Sequence, residues 1–131
     1  PAAPPNPPKA KDPPVLDQAV FAQLREDTGA EAITMLLEVF LGEIENRART
    51  ILEAYQRRNI DAVAKEAHAL KSSSGSFGAM RLQSLALQLE LAGRDRDEEG
   101  LIEPVAQLAA LVEQTKQEFQ AAASNDKAVA E

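Results

Sequence analysis

The chain has 131 residues, 44% of them hydrophobic and 27% charged, with a formal charge of −7; that is enough for one compact domain and too little for two. The acidity argues against nucleic acid, whose binding rests on phosphate neutralisation by Lys and Arg, and the lack of cysteine removes disulfides and thiolate chemistry. No apolar run approaches the roughly 18 residues of a membrane span, and no signal-peptide core is present.

Seven of the eight prolines fall in PAAPPNPPKAKDPP, residues 1–14. Such a stretch favours extended polyproline conformations and reads as a linker or tail. The start at Pro1 rather than Met suggests a piece of something longer.

From Val15 the pattern turns helical. Asp17 can cap a short helix carrying Val20, Phe21 and Leu24 that ends before Gly29. Ile33, Leu37, Phe40, Ile44, Ala48, Ile51 and Tyr55 then recur at spacings of three and four. That spacing predicts a long amphipathic helix over residues 30–58. A third helix begins at Asn59 or Asp61 with Ile60, Val63, Ala67, Leu70 and Ser74 inward, and Gly75 and Gly78 mark its end. A fourth, over 79–92, places Leu82, Leu85, Ala86 and Leu89 on one face. GRDRDEEG follows as a polar loop, and the last helix carries Leu101, Val105, Leu108, Val112, Thr115 and Phe119. Pro104 should fall in its first turn, where a missing amide hydrogen costs least. Beyond Ala123 the tail is expected to fray.

With no strand signal, these elements predict an all-α fold: an antiparallel up-down four-helix bundle with a short additional N-terminal helix. The bundle should span residues 15–123, between the proline-rich 1–14 and a frayed 124–131.

The one histidine sits in HALKSSSGSFGA, residues 68–79. At about 100° per residue, His68 lies roughly 120° from the inward stripe and should face solvent, with no hydrogen-bond partner in view. Its helical neighbours are Ala64 and Lys65 one turn before, Lys71 and Ser72 one turn after, and Gly75 two turns on. The small residues leave room for a bulky partner, and the lysines add positive charge. Imidazole is largely neutral at pH 7, so a ring nitrogen can act as a nucleophile and an adjacent ammonium can hold an anion attached to it.

Other chemistries fit less well. The serines at 72–74 have no positioned carboxylate or oxyanion hole for a triad. One histidine without cysteine gives no metal-ligand spacing. GSFG follows no strand and lacks the ending of a phosphate-binding loop.

The run from His68 to Ala79 resembles the histidine phosphotransfer (HPt) motif, H-x-L-K-G-[SA]-[SA]-x-x-x-G-[AL]. The match includes His68, Leu70, Lys71, Ser73, Ser74, Gly78 and Ala79, and continues less specifically through Leu82, Leu85, Leu89 and Glu90. Ser72 departs from it, standing where glycine is usual and a partner approaches closely.

The resemblance implies a phosphoryl carrier without its own kinase or ATP site. His68 accepts a phosphoryl group from a receiver-domain aspartate and passes it to another, and Lys71 steadies the phosphoryl oxygens. Ala64, Lys65, Ser72, Gly75, Glu90 and Arg94 form the docking face. The partners implied are response-regulator receiver domains, with a hybrid sensor kinase as a further candidate; the carrier itself is monomeric and cytoplasmic. No cofactor or metal is expected on this chain, the Mg²⁺ belonging to the receiver.

Between Asn59 and Arg94, four cations (Lys65, Lys71, Arg81, Arg94) oppose three acids (Asp61, Glu66, Glu90). This locally basic stretch suits an acidic receiver pocket. Two rival readings have weaker support. A sensor-kinase dimerisation domain normally has an acidic residue after its histidine and a proline soon after; here Ala69 follows, and no proline appears before Pro104. A non-catalytic interaction module would use a second apolar stripe, Met80, Leu87 and Leu91, which the short first helix is expected to cover.

Overall fold

A computed structural model describes residues 12–130, with side chains through residue 124. The linker or tail expected at 1–14 lies outside these residues except for its last three, and so do the side chains of the C-terminal tail. Five helices form: α1 (Gln18–Thr28), α2 (Ala30–Gln56), α3 (Ile60–Phe77), α4 (Met80–Arg94) and α5 (Glu98–Ala130). No strand occurs among the described residues, and none of the helices is long and apolar enough to cross a membrane.

Helices α2 to α5 pack in a closed ring, each against its two chain neighbours and α5 against α2, while α1 lies across α2 and α3. This is the expected four-helix bundle with an added N-terminal helix. Its core is the set of predicted stripes: Ile44, Ile51, Val63, Ala67, Leu70, Leu82, Leu89, Leu108 and Phe119 are all fully buried. All four phenylalanines of the chain gather at one end. Phe77 stacks on Phe40 with ring centroids 4.2 Å apart, and Phe119 meets both Phe40 (5.6 Å) and Phe21 (5.7 Å). The C-terminal turn of α3 is thereby tied to α1, α2 and α5.

Local signals set the helix ends. Asp17 Oδ1 accepts from the amides of Ala19 and Val20, and Asn59 Oδ1 from Ala62, each relieving an orphan donor of a first turn. Gly78 closes α3 at φ 84°, ψ 16°, left-handed backbone in which glycine pays no Cβ penalty. The N-terminal strap is bonded to the turn that follows: Asp17 N donates to Gly78 O (2.8 Å) and Arg81 N to Pro14 O (2.9 Å).

Three expectations change. Gly75 does not end α3, which stays helical for two further residues, through Phe77. The polar loop shrinks to residues 95–97, since Asp97 Oδ1 accepts from Gly100 N at 2.9 Å and caps α5, whose first turn carries Glu98 and Glu99. Pro104 therefore falls in the second turn. The carbonyl left without its amide partner is that of exposed Gly100, within reach of water.

Candidate functional site

His68 sits on the solvent side of α3 with 56% of its side chain exposed, as the helical phase predicts. Its ring is nevertheless held. Glu90, from the middle of α4, places its carboxylate beneath the imidazole with His68 Nδ1 at 2.8 Å from Glu90 Oε2. The same carboxylate accepts from Lys71 Nζ at 2.7 Å through Oε1, and the Arg94 guanidinium forms an ion pair with Oε2 at 2.5 Å. Glu90 is itself only 1% exposed. One buried acid thus gathers three basic side chains from two helices.

Burial alone would raise the Glu90 pKa, but the hydrogen bond from Lys71 outweighs it, and His68 and Arg94 add to the effect. The carboxyl is held below its usual range and is ionised at neutral pH. An ionised carboxylate only accepts hydrogen bonds, so Nδ1 must carry the hydrogen. In the neutral ring Nε2 then keeps its lone pair, and the imidazole is oriented for attack through that atom.

The α3–α4 approach that allows this is close. A Cβ at Gly93 would meet Ala64 Cβ at 3.0 Å and the Ala64 backbone at 3.2 Å. Only glycine fits there without moving the helices. Under the other end of the site, a Cβ at Gly75 would run into the Gln83 side-chain amide.

The chain matches the Hpt domain model over residues 35–118. It belongs to the Hpt domain family. The match spans α2 to α5, and histidine phosphotransfer in phosphorelays is the function that goes with it. Among its relatives is the phosphorelay protein LuxU of Vibrio vulnificus strain YJ016, 30% identical over 105 residues, covering 80% of this chain and 91% of that protein. LuxU of Vibrio harveyi is 32% identical over 89 residues, covering 66% of this chain and 78% of that protein. The crystal structure of histidine-containing phosphotransfer protein B (HptB) from Pseudomonas aeruginosa PAO1 superposes with a TM-score of 0.80 at 25% identity, covering 86% of this chain and 96% of that one. Family membership displaces both the sensor-kinase and the incidental-histidine readings.

The Hpt domain brings His68, Lys71, Glu90 and Arg94 into one cluster. Lys65 is exposed one turn away. Ala64 is half-buried against Gly93 and Gly75 half-buried under Gln83, so both contribute packing as well as surface. Ser72 is exposed, but its hydroxyl turns back to donate to the His68 carbonyl at 3.2 Å, so it lies along its own helix. Two expectations are corrected. His68 does have a hydrogen-bond partner, and Glu90, expected on the docking face, is buried beneath the histidine. The signal was present in α4: Glu90 lies four residues after Ala86 and three before Gly93, on the buried stripe. An acid at a core phase calls for a cationic partner.

The basic stretch is also rearranged. Arg81 turns away to donate to Pro13 O at 3.0 Å. Asp61 pairs with Arg96 and Glu66 with Arg47, leaving Lys65, Lys71 and Arg94 as the cations around the imidazole. Leu87 and Leu91 stay exposed at 41% and 52%, contrary to the cover expected from α1. That helix packs on α2 and α3 instead, with Phe21 turned toward Phe119.

Proposed function

We propose that His68 is the phosphoacceptor of this Hpt domain and that Nε2 is the atom that carries the phosphoryl group. The observation that carries this reading is the bond from Nδ1 to ionised Glu90, which leaves an exposed ring with its lone pair at Nε2. Nε2 attacks the phosphorus of an aspartyl phosphate on a receiver domain, and the aspartate leaves as a carboxylate. In the reverse sense, a second receiver aspartate takes the group from Nε2.

Lys71 is the phosphoryl-stabilising cation. Its ammonium shares the Glu90 carboxylate with the imidazole and lies close enough to exchange one anion for another when the phosphoryl group arrives. The chain serves as a carrier, with no kinase or ATP site of its own. Mg²⁺ and most of the transition-state stabilisation belong to the receiver. Ala64, Lys65, Ser72, Gly75 and Arg94 form the docking face, with positive charge to steer the receiver's acidic pocket. The domain acts as a monomer in the cytoplasm, where such receivers meet it.

Incubation with a phosphorylated receiver domain tests this. The wild-type chain should take up acid-labile, alkali-stable label. His68→Gln should take up none, with helicity and melting temperature nearly unchanged because the side chain is mostly exposed. Label retained by that variant would overturn the assignment.

A further inference from the structure

The bond between His68 Nδ1 and Glu90 has a consequence for the outgoing half of the reaction, one that rests on His68 being the phosphoacceptor. When Nε2 bears a phosphoryl group, the fate of the P–N bond depends on Nδ1. With a hydrogen on Nδ1 the ring is an imidazolium, and on cleavage it departs as neutral imidazole. Without that hydrogen it must depart as imidazolate, a far poorer leaving group. We infer that Glu90 is a positioning residue for phosphoryl release: it keeps the Nδ1 hydrogen in place on the phosphorylated ring, so that His68 always leaves as neutral imidazole.

The geometry supports this in both directions. Nδ1 lies 2.8 Å from a carboxylate oxygen that is almost wholly withdrawn from water. With little water to screen it, the charge on that oxygen acts directly on the hydrogen that Nδ1 holds. The other charged groups near the ring are cations, Lys65 and Lys71 on α3 and Arg94 on α4, and they oppose that effect. Two of them are neutralised by the same carboxylate, Lys71 at 2.7 Å and Arg94 at 2.5 Å. On the opposite flank of α3, the charges Glu43, Arg47 and Glu66 are bonded to one another and to Ser73. Asp27 of α1 lies beside Ser76, two turns further along α3.

The step balances without a proton moving. In acceptance, the Nε2 lone pair forms the P–N bond, the P–O bond of the aspartyl phosphate breaks, and the ring becomes an Nδ1–H cation paired with Glu90. In release, the incoming oxygen forms its bond to phosphorus, the P–N pair returns to Nε2, and the ring is again neutral with its hydrogen on Nδ1. The two half-reactions mirror each other, as a carrier that passes its group onward requires.

The test uses the full chain loaded with phosphoramidate, a small N–P phosphodonor, and follows loss of the phosphoryl group to water by ³¹P NMR from about pH 6 to pH 9. Wild type should shed phosphate at a nearly constant rate across the neutral range. Glu90→Gln, which keeps the shape and loses the charge, should fall away as pH rises, about tenfold per unit once Nδ1 deprotonates, and Glu90→Asp should restore part of the flat profile. Identical profiles for wild type and Glu90→Gln would overturn the inference while leaving His68 as the acceptor. Failure of His68 to take up label, or equal labelling of His68→Gln, would instead overturn the functional reading beneath it. Should Glu90→Gln fail to fold, ¹⁵N NMR of the phosphorylated wild type decides. Nδ1 must keep its hydrogen to a pH at least about one unit higher in the folded chain than in urea, a tenfold preference; equal titration refutes the inference.

Discussion

Each flank of α3 carries a glutamate from the neighbouring helix that is bonded to side chains of α3. On the α2 side, Glu43 accepts from Ser73 and from Arg47 at 3.0 Å, and Arg47 reaches across to Glu66 of α3 at 2.9 Å. On the α4 side, Glu90 accepts from His68 and Lys71 and forms an ion pair with Arg94. Both acids are held below the usual carboxylate range, Glu43 chiefly by the Ser73 hydroxyl and Glu90 chiefly by Lys71. What separates them is water. The side chains of Glu43, Arg47 and Glu66 are between 25% and 35% exposed, whereas that of Glu90 is 2% exposed. Solvent can replace any contact of the first cluster, so it clips two helices together. In the second, the acid has no alternative to its three partners, and their positions are fixed by it.

Removing each acid's cluster should therefore give unequal results. Glu90→Ala leaves Lys71, Arg94 and the imidazole free to find water, so the loss should be about 1.5–3 kcal/mol, the range for hydrogen bonds to charged groups, rather than the larger cost of stranding a buried charge. Phosphotransfer should fall about tenfold for each 1.4 kcal/mol of lost stabilisation, as the ring loses its orientation. Urea midpoints and transfer rates from a phosphorylated receiver measure both. A variant that kept wild-type transfer would make the two flanks equivalent.

Next in size is Lys71→Ala. Glu90 keeps two partners, so stability should drop by about 1 kcal/mol, while transfer slows several-fold or the phosphohistidine lifetime shortens. Unchanged rate and lifetime would reduce Lys71 to a counter-ion for Glu90.

Acid should also weaken the Glu90 cluster. Because the folded Glu90 pKa is depressed, its stabilisation is present above the unfolded carboxylate pKa, near about 4.3. It is lost as pH falls through the lower folded value. Wild type should thus lose stability on acidification below about pH 5, and Glu90→Gln should lose less over the same interval. Parallel acid limbs in urea titrations would mean that Glu90 carries no linkage. The smallest effect belongs to the α2 flank: Arg47→Ala should cost at most about 1 kcal/mol and leave transfer unchanged.

Much of this contrast was within reach of the sequence, but not all. Spacing placed His68 outside the inward stripe, and the motif around it pointed to phosphotransfer. Helix order and most of the buried stripe followed from apolar spacing, because a 3.6-residue period fixes the phase of each side chain about its own axis. At the start of α5 and at Gly75, a local competitor prevails over the apolar pattern. Asp97 caps earlier than the apolar pattern begins, and a single glycine does not stop a helix whose following Phe77 is anchored by stacking on Phe40.

The helices, their inward faces and the outward placement of the one histidine are written within each segment, since they depend on a period and on local end signals. What lies beneath that histidine depends on packing between segments. His68 and Glu90 are 22 residues apart, and no rule internal to either helix says that they meet. Their meeting depends on how α3 and α4 are set against each other, and that depends on Gly93 admitting Ala64 at contact distance. The same packing withdraws Glu90 from water, and burial makes its carboxylate a fixed partner for the imidazole.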